Sequence, residues 1–185
     1  MSGRWKTATV LGWCAAVAVL AAAGDGQTPA TMPSTRPGFV VVPAEVFKDP
    51  NGEKAGLLMG IFDGQDFQNR VVNKMVPLLN MAAKDGDAAD PDSTLTSDYG
   101  IKWMGQIVPP VSGDYTLEIQ SSGGVVMYAG DETVIDALNE KGPQDRHGVT
   151  HLEAGKATMI EIDFLQVSGP AKCELLWKTP DGAGK

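Results

Sequence analysis

Apolar and polar residues alternate along three stretches of this chain. In Gly113–Gln120 (GDYTLEIQ), Tyr115, Leu117 and Ile119 alternate with Thr116, Glu118 and Gln120. Successive side chains of an extended strand point to opposite faces, so this period of two predicts a strand with one buried face. Thr158–Leu165 repeats the pattern, setting Ile160, Ile162 and Phe164 against Glu161 and Asp163. Cys173, Leu175 and Trp177 alternate likewise with Lys172, Glu174 and Lys178. Leu57–Phe62, Ile101–Val108, Val125–Ala129 and Thr133–Ile135 add shorter β-prone segments, separated by Gly, Pro, Asn and Asp. Short strands punctuated in this way predict an antiparallel β-sandwich or barrel. Met75–Ala83 (MVPLLNMAA) reads instead as one or two helical turns, with Pro77 limiting any extension upstream. Trp103 and Trp177 fall on the expected strands and are assigned to the core because of the area each can bury. Gly113 and Gly155 are read as turn glycines at positive φ.

The first residues follow a different pattern. Arg4 and Lys6 precede an uncharged apolar run of 16 residues, Ala8–Ala23, that ends in three alanines. The run is shorter than the roughly 20 residues that span a bilayer, and its A-x-A ending matches a cleavage site. Residues 1–23 are therefore expected to be a signal peptide, cut after Ala23. An uncleaved N-terminal anchor is the alternative. Lipidation at Cys14 fits less well, because Trp13 precedes it and the apolar run continues beyond. Gly24–Gly38 is rich in Pro and small polar residues and reads as a flexible tether. Phe39–Val42 is β-prone, either an added edge strand or an interface segment. The expected organisation is a signal peptide at 1–23, a linker at 24–52 with a short strand at 39–42, and a β domain at 53–182.

Charge and cysteine content narrow the function classes. Over 185 residues, 15 Lys and Arg face 23 Asp and Glu, a net charge of −8. Such acidity argues against a nucleic-acid partner, which would need clustered Lys and Arg to track phosphates. Removing residues 1–23 takes away Arg4 and Lys6 and no acid, so the exported form would carry 13 − 23, or −10. It would keep Cys173 alone, with no intrachain disulfide, so stability must come from a packed core. No membrane span is expected in that form.

The order of motifs resembles the PA14 family. GLLMGIFDGQDF (Gly56–Phe67) opens the match, and DYGIKWMGQIVPPVSGDYTLEIQSSGGVVMYAGDETVID (Asp98–Asp136) continues it. HLEAGKATMIEIDFLQVSGPAKCELLWKTPDG (His151–Gly182) closes it. The resemblance covers roughly 53–182 and implies an antiparallel β-sandwich of a kind found in secreted bacterial proteins, toxins, glycosidases and adhesins. It also implies a module that binds carbohydrate or another partner. Members that bind sugar do so through calcium held by paired aspartates before a loop glycine, a place taken here by Ser122, Gly123 and Gly124. Ser122-Gly123 replaces the acid pair, and the following Asp-Gly turn becomes Gly130-Asp131. Calcium takes six to eight oxygen ligands, with carboxylates offsetting its dehydration, so the calcium-dependent activity is not carried over and no cofactor or metal is assigned. Ser122, Gly123, Gly124 and Asp131 remain the candidate ligand-binding positions.

Other constellations favour a structural reading. Lys84–Asp98 holds five aspartates but fails the EF-hand template, since Ala89 occupies the fifth position and no Glu follows. It reads as a solvated acidic loop, with weak calcium binding as the alternative. His147 and His151 would share a face on a helix, but Gly148, Val149 and Thr150 disfavour one. On a strand they lie about 13 Å apart, too far to share a zinc ion. Cys173 belongs to an apolar face and reads as an inert thiol. No nucleophile motif, Cys/His pair or carboxylate pair points to catalysis, and the chain reads as non-enzymatic. The leading expectation is an exported binding module for a glycan or a cell-surface protein, presenting loops at 121–124, 131–141 and 85–98. A structural component of a cell-surface complex is the alternative, and a hydrolase ranks last.

Overall fold

The computed structural model describes residues 37–181. The expected export signal and most of the tether lie outside the described residues. The strands are β1 (Val40–Val41), β2 (Phe47–Lys48), β3 (Leu57–Asp63), β4 (Asn69–Val76), β5 (Asn80–Ala83) and β6 (Tyr99–Ile107). They continue with β7 (Gly113–Ser121), β8 (Gly124–Ala129), β9 (Glu132–Ala137), β10 (Gln144–Leu152), β11 (Thr158–Gln166) and β12 (Ala171–Lys178). One sheet runs β1-β12-β7-β10 with β5 also on β12, and the other runs β4-β3-β6-β11-β8-β9 with β2 also on β6. Every named strand pair is antiparallel. The chain is thus the all-β, antiparallel sandwich that its alternation predicts.

The three alternating stretches form β7, β11 and β12, and their apolar residues fill the space between the sheets. Tyr115, Leu117, Ile119, Ile160, Ile162, Phe164, Cys173, Leu175 and Trp177 are all buried. Trp103 and Trp177 are core residues, 1% and 0% exposed. Trp103 leans on Phe164 at 6.4 Å between centroids, and Trp177 on Tyr115 at 5.1 Å. Loss of either indole would cost about 3 to 5 kcal/mol. The Tyr115 hydroxyl donates to the Val111 carbonyl at 2.9 Å, whereas the Trp177 indole N–H has no hydrogen-bond partner. Gly113 and Gly155 hold positive φ, 145° and 69°. The sheets approach each other at β9 and β10, where a Cβ on Gly148 would lie 2.0 Å from the Val134 carbonyl oxygen.

One segment differs from expectation, and another takes one of its two expected roles. Met75–Ala83 is not helical: β4 ends at Val76, the chain bends through Pro77, Leu78 and Leu79, and β5 follows. This bend carries the chain from one sheet to the other. Leu79 drops into the core and its carbonyl accepts a bond from the Leu175 amide at 3.1 Å, while β5 pairs with β12. Pairing of this kind outweighs the modest helix preference of Leu, Met and Ala. Upstream of residue 53, Val40–Val41 pairs with β12 as the edge strand that Phe39–Val42 could supply, and Phe47–Lys48 pairs with β6. Val42, Val46 and Phe47 are buried in the core.

Candidate functional site

The turn from β7 to β8 is built by close approach. A Cβ on Gly123 would stand 2.0 Å from the Leu165 carbonyl oxygen, and one on Gly124 would stand 1.9 Å from that of Leu138. Real Cβ atoms do not come so near, so both positions require glycine. An aspartate at 123 is excluded by the packing of the turn onto β11, which explains physically why no acid pair occurs here. The Ser122 hydroxyl is also committed. It donates to Gln166 Oε1 at 2.9 Å and accepts from the Lys172 amide at 2.9 Å. A hydroxyl so engaged has little capacity left for a ligand.

These residues form one wall of a groove of about 430 Å³. The segment 138–143 and the turn from β11 to β12 supply the others, with Leu138, Leu165 and Val167 as apolar surface and Asn139, Glu140, Lys141 and Ser168 as polar groups. Gln166 fixes the wall from behind, since its Nε2 donates to the Ser168 carbonyl at 2.8 Å and to the Gly169 carbonyl at 3.2 Å. Arg146, 9% exposed, holds the opposite side. Its Nη2 and Nε reach Glu140 Oε2 at 2.9 and 3.2 Å, and its Nη1 donates to Ser121 Oγ at 3.3 Å. Ser121 Oγ donates in turn to the Gly123 carbonyl at 2.9 Å. A buried guanidinium thus ties both loops together. Among the described residues no aromatic side chain lines the groove, so it offers hydrogen bonds and aliphatic contact rather than a stacking platform.

Asp131 is not part of this groove. The strand β8 separates it from Gly124, and six residues of strand extend about 20 Å. Asp131 lies instead beside a second depression, with Tyr128, Met159 and Glu161. The length of β8 thus places Asp131 on a different part of the surface from Ser122–Gly124. Arg146 and Gln166 gave no sequence signal, because their importance comes from burial in strands that polar residues partly disguise.

The remaining candidates resolve into structural roles. In the acidic loop, the Lys74 ammonium contacts Asp90 at 2.5 Å and Asp92 at 2.8 Å, placing a protein cation among the carboxylates. His147 and His151 lie on the extended strand β10, and His151 Nδ1 sits 2.8 Å from Asp114 Oδ1. Burial pushes the Cys173 thiol well above its ordinary value, against nucleophilic use. No helix among the described residues is long and apolar enough to cross a membrane.

Residues 53–185 match the PA14 domain. The chain is 25% identical over 130 residues to the anti-sigma-I factor RsgI3 of Acetivibrio thermocellus, a match covering 70% of this chain and 20% of that protein. This chain therefore spans about a fifth of the length of that curated relative. A solved anti-sigma factor domain-containing protein superposes with a TM-score of 0.64 at 22% identity, over 70% of this chain and 44% of that one. The A domain of epithelial adhesin 9 from Candida glabrata, solved with Galb1-3GlcNAc, gives 0.51 at 11% identity, over 79% and 88%. At these identities the solved structures establish the fold. With the family match spanning most of the chain, the protein belongs to the PA14 domain family.

Proposed function

We propose that this protein is an exported, non-catalytic binding module that recognises carbohydrate, without calcium, through the groove between the turn at Ser122–Gly124 and the segment 138–143. The observation that carries this reading is the convergence of two loops and a strand turn on one concavity whose walls are fixed by Arg146 and Gln166. A polar rim above aliphatic surface suits a ligand with hydroxyls and an apolar face. The adhesin domain solved with a sugar supports a glycan as the ligand. Export rests on the basic and apolar pattern of residues 1–23.

The test is a panel of immobilised glycans probed with the full chain, with and without EDTA. Retention of a glycan class should be unchanged by the chelator and abolished by Lys141→Glu or Val167→Arg. Both residues are exposed and line the groove, so the fold should be unaffected. Failure to retain any glycan, or retention that needs calcium, would overturn the reading.

A second reading, a component of a cell-surface assembly, is favoured by β4. This eight-residue strand ends its sheet, and Val71 and Met75 on it are 48% and 38% exposed. An unpaired strand edge can accept a strand from another chain. The matched region is a part of larger chains in the anti-sigma relatives, in keeping with a module that works beside others.

A further inference from the structure

The ionisable groups of the groove at Ser122–Gly124 do not balance. Glu140 and Lys141 line it. The Glu140 carboxylate is held by Arg146, whose Nη2 and Nε meet its Oε2 at 2.9 and 3.2 Å, and that guanidinium is 9% exposed. Lys141 is exposed and forms no ion pair among the described residues. With Glu140 neutralised by Arg146, the charge left at the groove is a single ammonium, in a chain whose net charge is −8.

Spare hydrogen-bond donors belong to the same wall. Among the described residues, the backbone amides of Asn139, Lys141 and Gly142 and the side-chain amide of Asn139 meet no acceptor. On the facing wall the polar groups are engaged with one another. The Ser122 hydroxyl donates to Gln166 Oε1 at 2.9 Å, and Gln166 Nε2 donates to the Ser168 carbonyl at 2.8 Å. One wall thus offers a cation and N–H donors, and the other offers the aliphatic surface of Leu165 and Val167. An ammonium flanked by N–H groups binds an ionised oxygen acceptor more strongly than a neutral one. A ligand matched to both walls carries an anionic oxygen group on a ring with an apolar face.

We propose that the groove selects acidic sugars: the carboxylate of a uronic acid residue accepts from the Lys141 ammonium and the amides of the segment 139–142, while the sugar ring lies against Leu165 and Val167. This rests on the carbohydrate reading of the groove and narrows it to one charge class. A carboxylate fits because its two oxygens share one negative charge, which matches one uncompensated ammonium and several neutral donors. An amino sugar fits worse, because its cation would face Lys141 and find Glu140 already engaged by Arg146. The acidity of the chain as a whole repels polyanions, so retention of one reports a local site.

The test applies the full chain, in EDTA, to immobilised uronic acid polysaccharides, each beside the same polymer with its carboxyl groups reduced to primary alcohols. Neutral and sulfated polymers serve as comparisons. A uronate polymer should be retained, about tenfold more weakly once reduced, and less as salt is raised. Lys141→Gln should lower retention of the uronate polymer to the level of the reduced one and leave the reduced polymer unaffected. Lys54→Gln removes the same charge from an exposed position outside the groove and should change neither. Both lysines are exposed, so the variants should fold. Equal retention of uronate and reduced polymers, a preference for neutral or sulfated ones, or equal effects of Lys54→Gln and Lys141→Gln would overturn the proposal and leave the carbohydrate reading standing. Retention of no polymer at all would overturn both.

Discussion

Gly123 has no room for any side chain, and that fact decides more about the turn at Ser122–Gly124 than its missing charge does. With the Leu165 carbonyl oxygen 2.0 Å from where a Cβ would be, Gly123→Asp should destabilise the fold by about 1 to 3 kcal/mol and create no calcium site. Denaturant unfolding and calcium calorimetry on that variant check both halves. Tyr99 gives a prediction with a sign. It is 1% exposed, and burial raises its phenol from 10.0 to about 12. The folded protein therefore keeps a proton that the unfolded chain releases, and the resulting stability is present below pH 10.0 and lost as the pH rises to about 12. Tyr99→Phe should flatten the fall in unfolding free energy across that window, with part of the slope remaining because Tyr115 is also raised by burial. At this scale the sequence announced Trp103 and Trp177 well, because large apolar residues at alternating positions have few places to go. It was silent on why Gly123 and Gly124 must be glycine, a constraint set by the carbonyls of Leu165 and Leu138.

Elements with one clean apolar face were legible, and those without one were not. β7, β11 and β12 carry unbroken alternation and pack both sheets together. β4 and β10 bury few residues, so their patterns (NRVVNKMV and QDRHGVTHL) lack a period to read. β5 looked helical because Leu, Met and Ala suit helices, and only its pairing with β12 makes it a strand. The segment upstream of residue 53 yields a prediction at this scale. Val42, Val46 and Phe47 are buried, so a chain starting at Glu53 should lose about 5 kcal/mol or more compared with one starting at Gly38. That loss is comparable to the whole stability of many domains. Thermal unfolding of the two chains decides it, and equal stability would show that β1 and β2 add nothing to the core.

For the whole molecule, the fold was legible because two packed sheets need many alternating strands, and this chain supplies them in a recognisable order. The proposed groove was half legible. Ser122–Gly124 was singled out correctly as a turn between strands, but Asp131 belongs to the far end of β8 and to another face. The walls that matter, Asn139–Lys141 and Gln166–Ser168, come from segments brought together by the sandwich and held by buried polar groups. On the proposed reading, shape and hydrogen bonding there do the work that the family resemblance assigns to calcium. Amide shift mapping in EDTA, with a glycan retained by the panel, tests this most directly. Perturbations should cluster at Gly123, Gly124, Asn139, Lys141, Gly142 and Ser168 without calcium. Perturbations that appear only when calcium is restored, or that cluster away from those residues, would contradict it.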